Sequence, residues 1–238
     1  MLTGLIKKII KKIIKKIIYG HKSSSESYIS YLRSNGCTIG EGTVIYGPWT
    51  SVIDESSLQF IDIGSNVQIT PQVTILGHDY SFSVFSGIYN DLPRVQKKTI
   101  IGNNVFIGTN STILMGTIIG DNVIIGAGSV VTGIVESNSV YAGNPAKKVC
   151  SIEDYYNKCC TIFEESAKIY VQGFIKKYGR YPNINERELA AYKTLFNNDT
   201  TSFKPNHGIN SQYINSINKK MKKRAKFDSI EELLRALS

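Results

Sequence analysis

Three histidines and four cysteines are the side chains best suited to acid–base, nucleophilic or metal chemistry in this 238-residue chain. Cys37, Cys150, Cys159 and Cys160 form no CxxC pair and no regular spacing. That argues against a zinc ribbon and a disulfide framework, and fits a reducing cytoplasm. His21, His78 and His207 are far apart, nothing gathers them into a metal site, and no metal is expected. His78 has a distinctive setting. It lies in Gly77-His78-Asp79, three residues after Ile75, where a regular apolar pattern stops and an aromatic-rich stretch begins. An imidazole placed there can take up and return a proton near ambient pH. A carboxylate should fix its tautomer. Asp79 is adjacent, but neighbours on a strand point to opposite faces, so it serves only if the chain turns. Asp54, Glu55 and Asp62 are the alternatives, and the sequence leaves the choice open.

The pattern that positions His78 has a period of six. Ile63, Ile69, Ile75, Ile101, Ile107, Ile113, Ile119, Ile125 and Val131 mark it, and all are apolar and β-branched. The residue after each is glycine in five of the nine hexads: Gly64, Gly102, Gly108, Gly120 and Gly126. Four residues after each lead the side chain is small or β-branched, except at Asp79. A period of two would be a half-buried strand and 3.6 a helix. Six, with glycine behind a β-branched lead, predicts short strands joined by tight corners, glycine allowing the backbone to turn. Three hexads close one triangular coil, and stacked coils bury an aliphatic ladder. The register reaches back to Ile39 and Ile45 but fails at Ser51 and Ser57, so 48–60 should be an irregular coil. Ile75 to Ile101 is not a multiple of six, so 79–99 must leave the coil as a long loop, read here as an ordered arm.

These residues resemble the hexapeptide-repeat acyltransferases of the galactoside/maltose/xenobiotic acetyltransferase branch. The resemblance rests on I-G-S-N-V-Q-I-T-P-Q-V-T-I-L-G-H-D at 63–79, I-I-G-N-N-V-F-I-G-T-N-S-T-I-L-M-G at 100–116, T-I-I-G-D-N-V-I-I-G-A-G-S-V-V-T at 117–132 and A-G-N-P-A-K at 142–147. It implies a mainly β fold, a left-handed parallel β-helix over 37–150. It implies acetyl-CoA as acyl donor, a homotrimer, and His78 as catalytic base, with Asp79 named beside it. Transfer would be direct, in a ternary complex, without an acyl-enzyme. Thr109, Ala127 and Thr132 match family positions that contact CoA, and Lys147 matches a basic residue that meets the nucleotide phosphate. Two positions depart: Phe106 stands where the family usually has tryptophan, and Gly133 where it often has lysine.

The flanks read differently. Residues 1–36 hold a helix and linker, and Leu5–Ile18 alternates isoleucine pairs with lysine pairs. A four-residue step keeps an apolar stripe contiguous on a helix. Such a basic amphipathic helix suits an anionic membrane surface, or packing on a neighbouring subunit, and lacks the apolar core of a secretory leader. Residues 151–238 take helical spacing, with a helix to Tyr178 stopped by Gly179 and Pro182. Asn185 with Glu188, and Ser229 with Glu232, read as capping pairs for two more helices. The net charge of +9 comes from residues 1–18, with six lysines and no acid, and from Lys219–Lys226. A near-neutral middle argues against nucleic-acid binding. No run of 18 apolar residues predicts a bilayer-spanning helix.

The expectation is an acetyl-CoA-dependent O-acetyltransferase acting on a sugar hydroxyl in surface polysaccharide synthesis, cytoplasmic or peripheral at the inner membrane surface. The rivals are an antibiotic O-acetyltransferase, a nucleotide-sugar N-acetyltransferase, and an inactive β-helix scaffold. A γ-class carbonic anhydrase shares the fold but needs three coil-borne histidines, and only His78 lies in the coil.

Overall fold

The computed structural model describes residues 2–182, Tyr192 and 227–236. The chain divides into two compact units, Met1–Ile152 and Glu153–Ser238. The expected helix capped at Asn185, the polar stretch after it and the basic cluster at 219–226 lie outside the described residues.

The first unit is a left-handed parallel β-helix. Its strands are β1 (Thr38–Ile39), β2 (Val44–Ile45), β3 (Val52–Ile53), β4 (Ile61–Ile63), β5 (Gln68–Ile69), β6 (Thr74–Ile75), β7 (Thr99–Ile101), β8 (Phe106–Ile107), β9 (Thr112–Ile113), β10 (Ile118–Ile119), β11 (Val123–Ile125), β12 (Val130–Val131), β13 (Ile134–Val135), β14 (Ser139–Gly143) and β15 (Ala146–Ser151). They stack into three sheets, ordered β1-β4-β7-β10-β13, β2-β5-β8-β11-β14-β15 and β3-β6-β9-β12. Every pairing is parallel except the closing β14–β15 hairpin. The nine hexad leads are the ladder, and none is more than 2% exposed. The positions four residues later, Val67 to Val135, are buried beside them, apart from exposed Asp79.

The glycines after the leads serve close approach, not the turn. A Cβ on Gly64 would lie 2.5 Å from the Gly102 carbonyl oxygen of the next coil, and one on Gly102 would lie 2.7 Å from Gly120 backbone carbon. The left-handed turns fall two residues further on, at Asn66, Gln72, Asn104, Asn110, Asn122 and Asn138. Asparagine tolerates that conformation because its short amide bonds locally. Asn104 Nδ2 donates to Asn122 Oδ1 at 2.8 Å, and Asn122 Nδ2 donates to Asn138 Oδ1 at 2.9 Å.

Residues 48–60 lose the six-residue register but stay in the fold. A 3-10 turn at Pro48–Thr50 moves the ladder from Ser51 to Ile53, which pairs with Ile75. A second such turn, Leu58–Phe60, delivers Ile61. Helices α1 (Leu2–Tyr19) and α2 (Ser25–Ser34) precede the coil, and the 79–98 segment leaves between β6 and β7 and carries helix α3 (Ser83–Tyr89). Its Tyr80, Val84, Ile88 and Tyr89 are each more than half exposed. Helix α2 starts on Ser24, whose hydroxyl accepts from Ser27 N–H at 3.2 Å, and buries Tyr28, Ile29 and Leu32 against the first coil. It thereby covers one open end of the ladder.

In the second unit, helix α4 (Ile152–Tyr178) ends at Gly179, whose φ is 66°. Helix α5 (Ile230–Ala236) is capped by Ser229, which accepts from Glu232 N–H at 3.2 Å. Ala167, Val171, Phe227, Ile230 and Leu233 form its core. Among the described residues no helix is long and apolar enough to cross a membrane.

The glycine geometry predicts a contrast. Gly64→Ala should lower stability by about 1–3 kcal/mol, the range for forcing extra volume into a packed site. Gly87→Ala, in α3 with nothing within 4 Å of its Cβ, should change it by less than about 1 kcal/mol and upward. Urea unfolding of both variants checks this.

Candidate active site

The third-to-first corner of the coil builds the site. Ile53 and Ile75 are paired, so Ser56 lies in register with His78 one coil away. Asp54 follows Ile53 directly and is held by its N–H bond to Ile75 O at 2.9 Å. His78 stands where most other hexads place a left-handed Asn, Gln or Gly, but here the chain departs into the loop. Gln96, on the segment that returns to β7, bridges back to His78.

His78 Nδ1 meets Asp54 Oδ2 in a short hydrogen bond. Both side chains are largely sequestered, at 15% and 6% exposure. Asp54 is itself held from three sides. Its Oδ1 accepts from Ser56 Oγ at 2.7 Å and Ser56 N–H at 3.2 Å, and its Oδ2 accepts from Gly77 N–H at 3.1 Å. Ser56 Oγ and Ser57 Oγ each lie 3.3 Å from His78 Nδ1, and Gln96 Nε2 reaches Ser57 Oγ at 3.5 Å. Burial pushes the Asp54 carboxyl up, but the bonds from Ser56, His78 and Gly77 outweigh it and hold it below its ordinary 3.8. An ionised carboxylate only accepts, so the Nδ1 proton points to Asp54 and the neutral ring presents its lone pair at Nε2. His78 Nε2 is buried and has no hydrogen-bond partner among the described residues. Tyr80 stands edge-on to the imidazole, ring centroids 4.2 Å apart.

The sequence candidates separate here. Asp79 turns away from the ring: its carboxylate accepts from Ser81 N–H at 2.8 Å and Ser81 Oγ at 2.9 Å, closing a local turn. The carboxylate on the imidazole is Asp54. Glu55 faces the other way, taking Lys22 Nζ at 3.2 Å, Tyr28 OH at 3.3 Å and Tyr31 OH at 3.2 Å. Burial raises its carboxyl, and the Lys22 bond and charge lead the effects that bring it below its ordinary value. Asp62 pairs with Lys98 Nζ at 2.5 Å. No sequence signal marks Ser56 and Ser57, because only the shifted ladder at Ile53 brings them beside His78.

Thr109 and Ala127 occupy successive second-to-third corners, joined by Gly128 N–H to Thr109 O at 2.8 Å, and Ala127 is exposed. Thr109 Oγ1 also donates to Pro71 O at 3.2 Å. Lys147, on β15 opposite Ala142, is exposed and makes no ion pair among the described residues. Its neighbour Lys148 is committed to Glu136 at 2.6 Å. Thr132 lies on the third-to-first corner instead, two coils along from His78. The site residues therefore fall on two edges of the third sheet. Among the described residues no group of His, Cys, Asp and Glu could hold a metal ion. Cys37 is buried, and that burial, with Asp62 nearby, pushes its thiol up to about 12.

A family model for the hexapeptide repeat of succinyl-transferase matches residues 98–133. The chain is 50% identical over 98 residues to "Protein CapG" of Staphylococcus aureus, covering 41% of this chain and 56% of that one. It is 35% identical to a "Probable macrolide acetyltransferase" of Lysinibacillus sphaericus, covering 53% of this chain and 69% of the relative. It is 34% identical to the "Putative lipopolysaccharide biosynthesis O-acetyl transferase WbbJ" of Escherichia coli (strain K12), covering 54% and 70%. With the coil and its corner residues in place, these matches make the chain a member of the hexapeptide-repeat acetyltransferases. It spans only 56% of the length of CapG.

The Asp54 bonds carry a pH signature. Its carboxyl sits below its ordinary value, so its stabilisation is present above that value and lost as pH falls through the lowered one. Asp54→Asn should be less stable than wild type near neutral pH. The gap should narrow as pH is taken from about 6 to about 3. Urea midpoints of the two proteins across that range test it.

Proposed function

We propose that this protein transfers an acetyl group from acetyl-CoA to a sugar hydroxyl, with His78 as general base and Asp54 as the residue that positions it. The observation that carries the reading is the His78–Asp54 pair, with Nε2 on the far side of the ring, buried and without a hydrogen-bond partner among the described residues. A hydroxyl is a poor nucleophile toward a thioester until its proton is withdrawn. In the transfer, the hydroxyl oxygen bonds to the acetyl carbon as His78 Nε2 takes the hydroxyl proton. The carbon–sulfur bond then breaks, and the imidazolium returns that proton to the departing thiolate. Asp54 stabilises the imidazolium in between and keeps the ring in the tautomer that accepts at Nε2. Asp79 has no part in this step.

Thr109, Ala127, Thr132 and Lys147 are the residues proposed to hold CoA. Small side chains at exposed corners leave room for a narrow chain to lie on the backbone. Lys147, without an ion-pair partner among the described residues, is the available cation for a phosphate. The acceptor class is supported by the relative named for lipopolysaccharide biosynthesis. The relative named a macrolide acetyltransferase favours a second reading, an antibiotic hydroxyl as acceptor.

The active form proposed is a homotrimer. Thr109 and Ala127 lie on one edge of the third sheet, and His78 and Thr132 on the other, with its outward face between them. A second copy placed along that face would bring one edge of each chain together. The 79–98 arm offers exposed Tyr80, Val84, Ile88 and Tyr89 as apolar surface for such a contact. The proposed place of action is the cytoplasm, at the inner surface of the membrane, where α1 would carry the protein.

His78→Ala should fold normally and lose at least about a hundredfold in transfer rate, the low end for a positioned general base. Asp54→Asn should lower kcat while leaving KM for acetyl-CoA near wild type. Thiol release from acetyl-CoA, run against sugars, glycans and macrolides, measures all of this. Wild-type turnover by His78→Ala would remove the base assignment. Light scattering at micromolar concentration should give three times the chain mass, and a fully active monomer would contradict the assembly.

A further inference from the structure

Helix α1 has an apolar face that nothing among the described residues of its own unit covers. Ile6, Ile9, Ile10, Ile13, Ile14, Ile17 and Ile18 are 48–77% exposed. The helix is attached near its Tyr19 end. Lys15 Nζ sits 3.7 Å over the Trp49 ring, and Tyr19 stacks on the same ring at 5.4 Å. The chain then runs through His21, which stacks on Tyr31 at 3.8 Å, and Lys22, which pairs with Glu55. Glu55 is bonded in sequence to Asp54.

Two kinds of occupant could cover the isoleucines: other copies of α1, or a lipid surface. Charge and geometry separate them. Residues 1–18 carry six lysines and no acid, so a bundle of copies would crowd like charges. A coiled-coil seam needs a repeat near 3.5 residues. Here the repeat is four, and at 100° per residue the stripe drifts by about 40° with each step, which a straight partner helix cannot follow. The isoleucines instead spread over roughly half the circumference, with Lys11, Lys12, Lys15 and Lys16 on the other half. That is the section of a helix half-immersed in a planar boundary, with cations at the level of anionic headgroups.

We infer that α1 docks flat on an anionic lipid surface, and that the Trp49 joint holds the β-helix close to that surface. The docking stands independently of the transfer chemistry. Its use, bringing the His78 corner to a membrane-borne acceptor, rests on the reading proposed above.

The test is co-sedimentation of the full chain with phosphatidylcholine vesicles, with and without phosphatidylglycerol. The expected result is strong binding to the anionic vesicles and little to the neutral ones. Added salt should weaken binding without abolishing it, because the apolar contribution survives screening. Lys12→Gln should reduce partitioning about fivefold. Ile10→Glu with Ile14→Glu should abolish binding, while thermal unfolding and thiol release with a soluble acceptor stay at wild-type levels. Trp49 is the only tryptophan in the chain, so brominated anionic lipids should quench its emission. The inference is overturned if the full chain ignores anionic vesicles, if the double variant still binds, or if that variant instead drops to a smaller assembly by light scattering. Sedimentation with Trp49 emission unquenched would overturn the joint. Loss of transfer in His78→Ala with lipid binding unchanged keeps the two readings separate.

Discussion

Successive coils of this protein approach one another backbone to backbone, and most of its other features follow from that distance. At the first-to-second corner the gap is too small for a methyl group, since a Cβ on Gly64 would press on the Gly102 carbonyl. The same closeness lets each strand of two or three residues bond to the next, although strands this short have little stability alone. It also brings the isoleucines into contact, so one ladder runs from Ile39 to Val135. The asparagines line up for the same reason, each amide donating to the one above.

The candidate site lies where that regularity is interrupted twice on one corner. The first interruption shifts the ladder to Ile53 and turns Asp54 inward. The second sends the chain into the 79–98 arm just beyond His78. Between them lies a buried carboxylate with enough donors to remain ionised: a serine hydroxyl, an imidazole and two backbone N–H groups. A buried charge without such partners would be costly. Because the partners are fixed by coil stacking, the fold itself orients the imidazole, the preorganisation that the proposed transfer requires of its base.

Glu55 connects this corner to the flanking segment. It takes up Lys22 and the hydroxyls of Tyr28 and Tyr31, so the linker after α1, the capping helix α2 and the Asp54 corner share one polar cluster. The amphipathic helix is thus joined to the part of the coil that orients His78.

The β-helix was legible because its cause is local and repeated: a six-residue period places every sixth side chain on the same inward line whatever the rest of the chain does. His78 was legible for a related reason, as the one imidazole where the pattern stops. The glycine positions were legible too, but not their purpose, since close approach is a property of two coils and the turn belongs to the asparagines. The partner of His78 was not legible. Asp79 is next to it in sequence, yet one residue along the backbone points a side chain elsewhere, and Asp79 bonds Ser81. Asp54 is 24 residues away and becomes adjacent only because a 3-10 turn at Pro48–Thr50 shifts the first coil by two residues. No repeat encodes that shift. It follows from how the coils stack, and so only the tertiary structure could decide which carboxylate meets the imidazole.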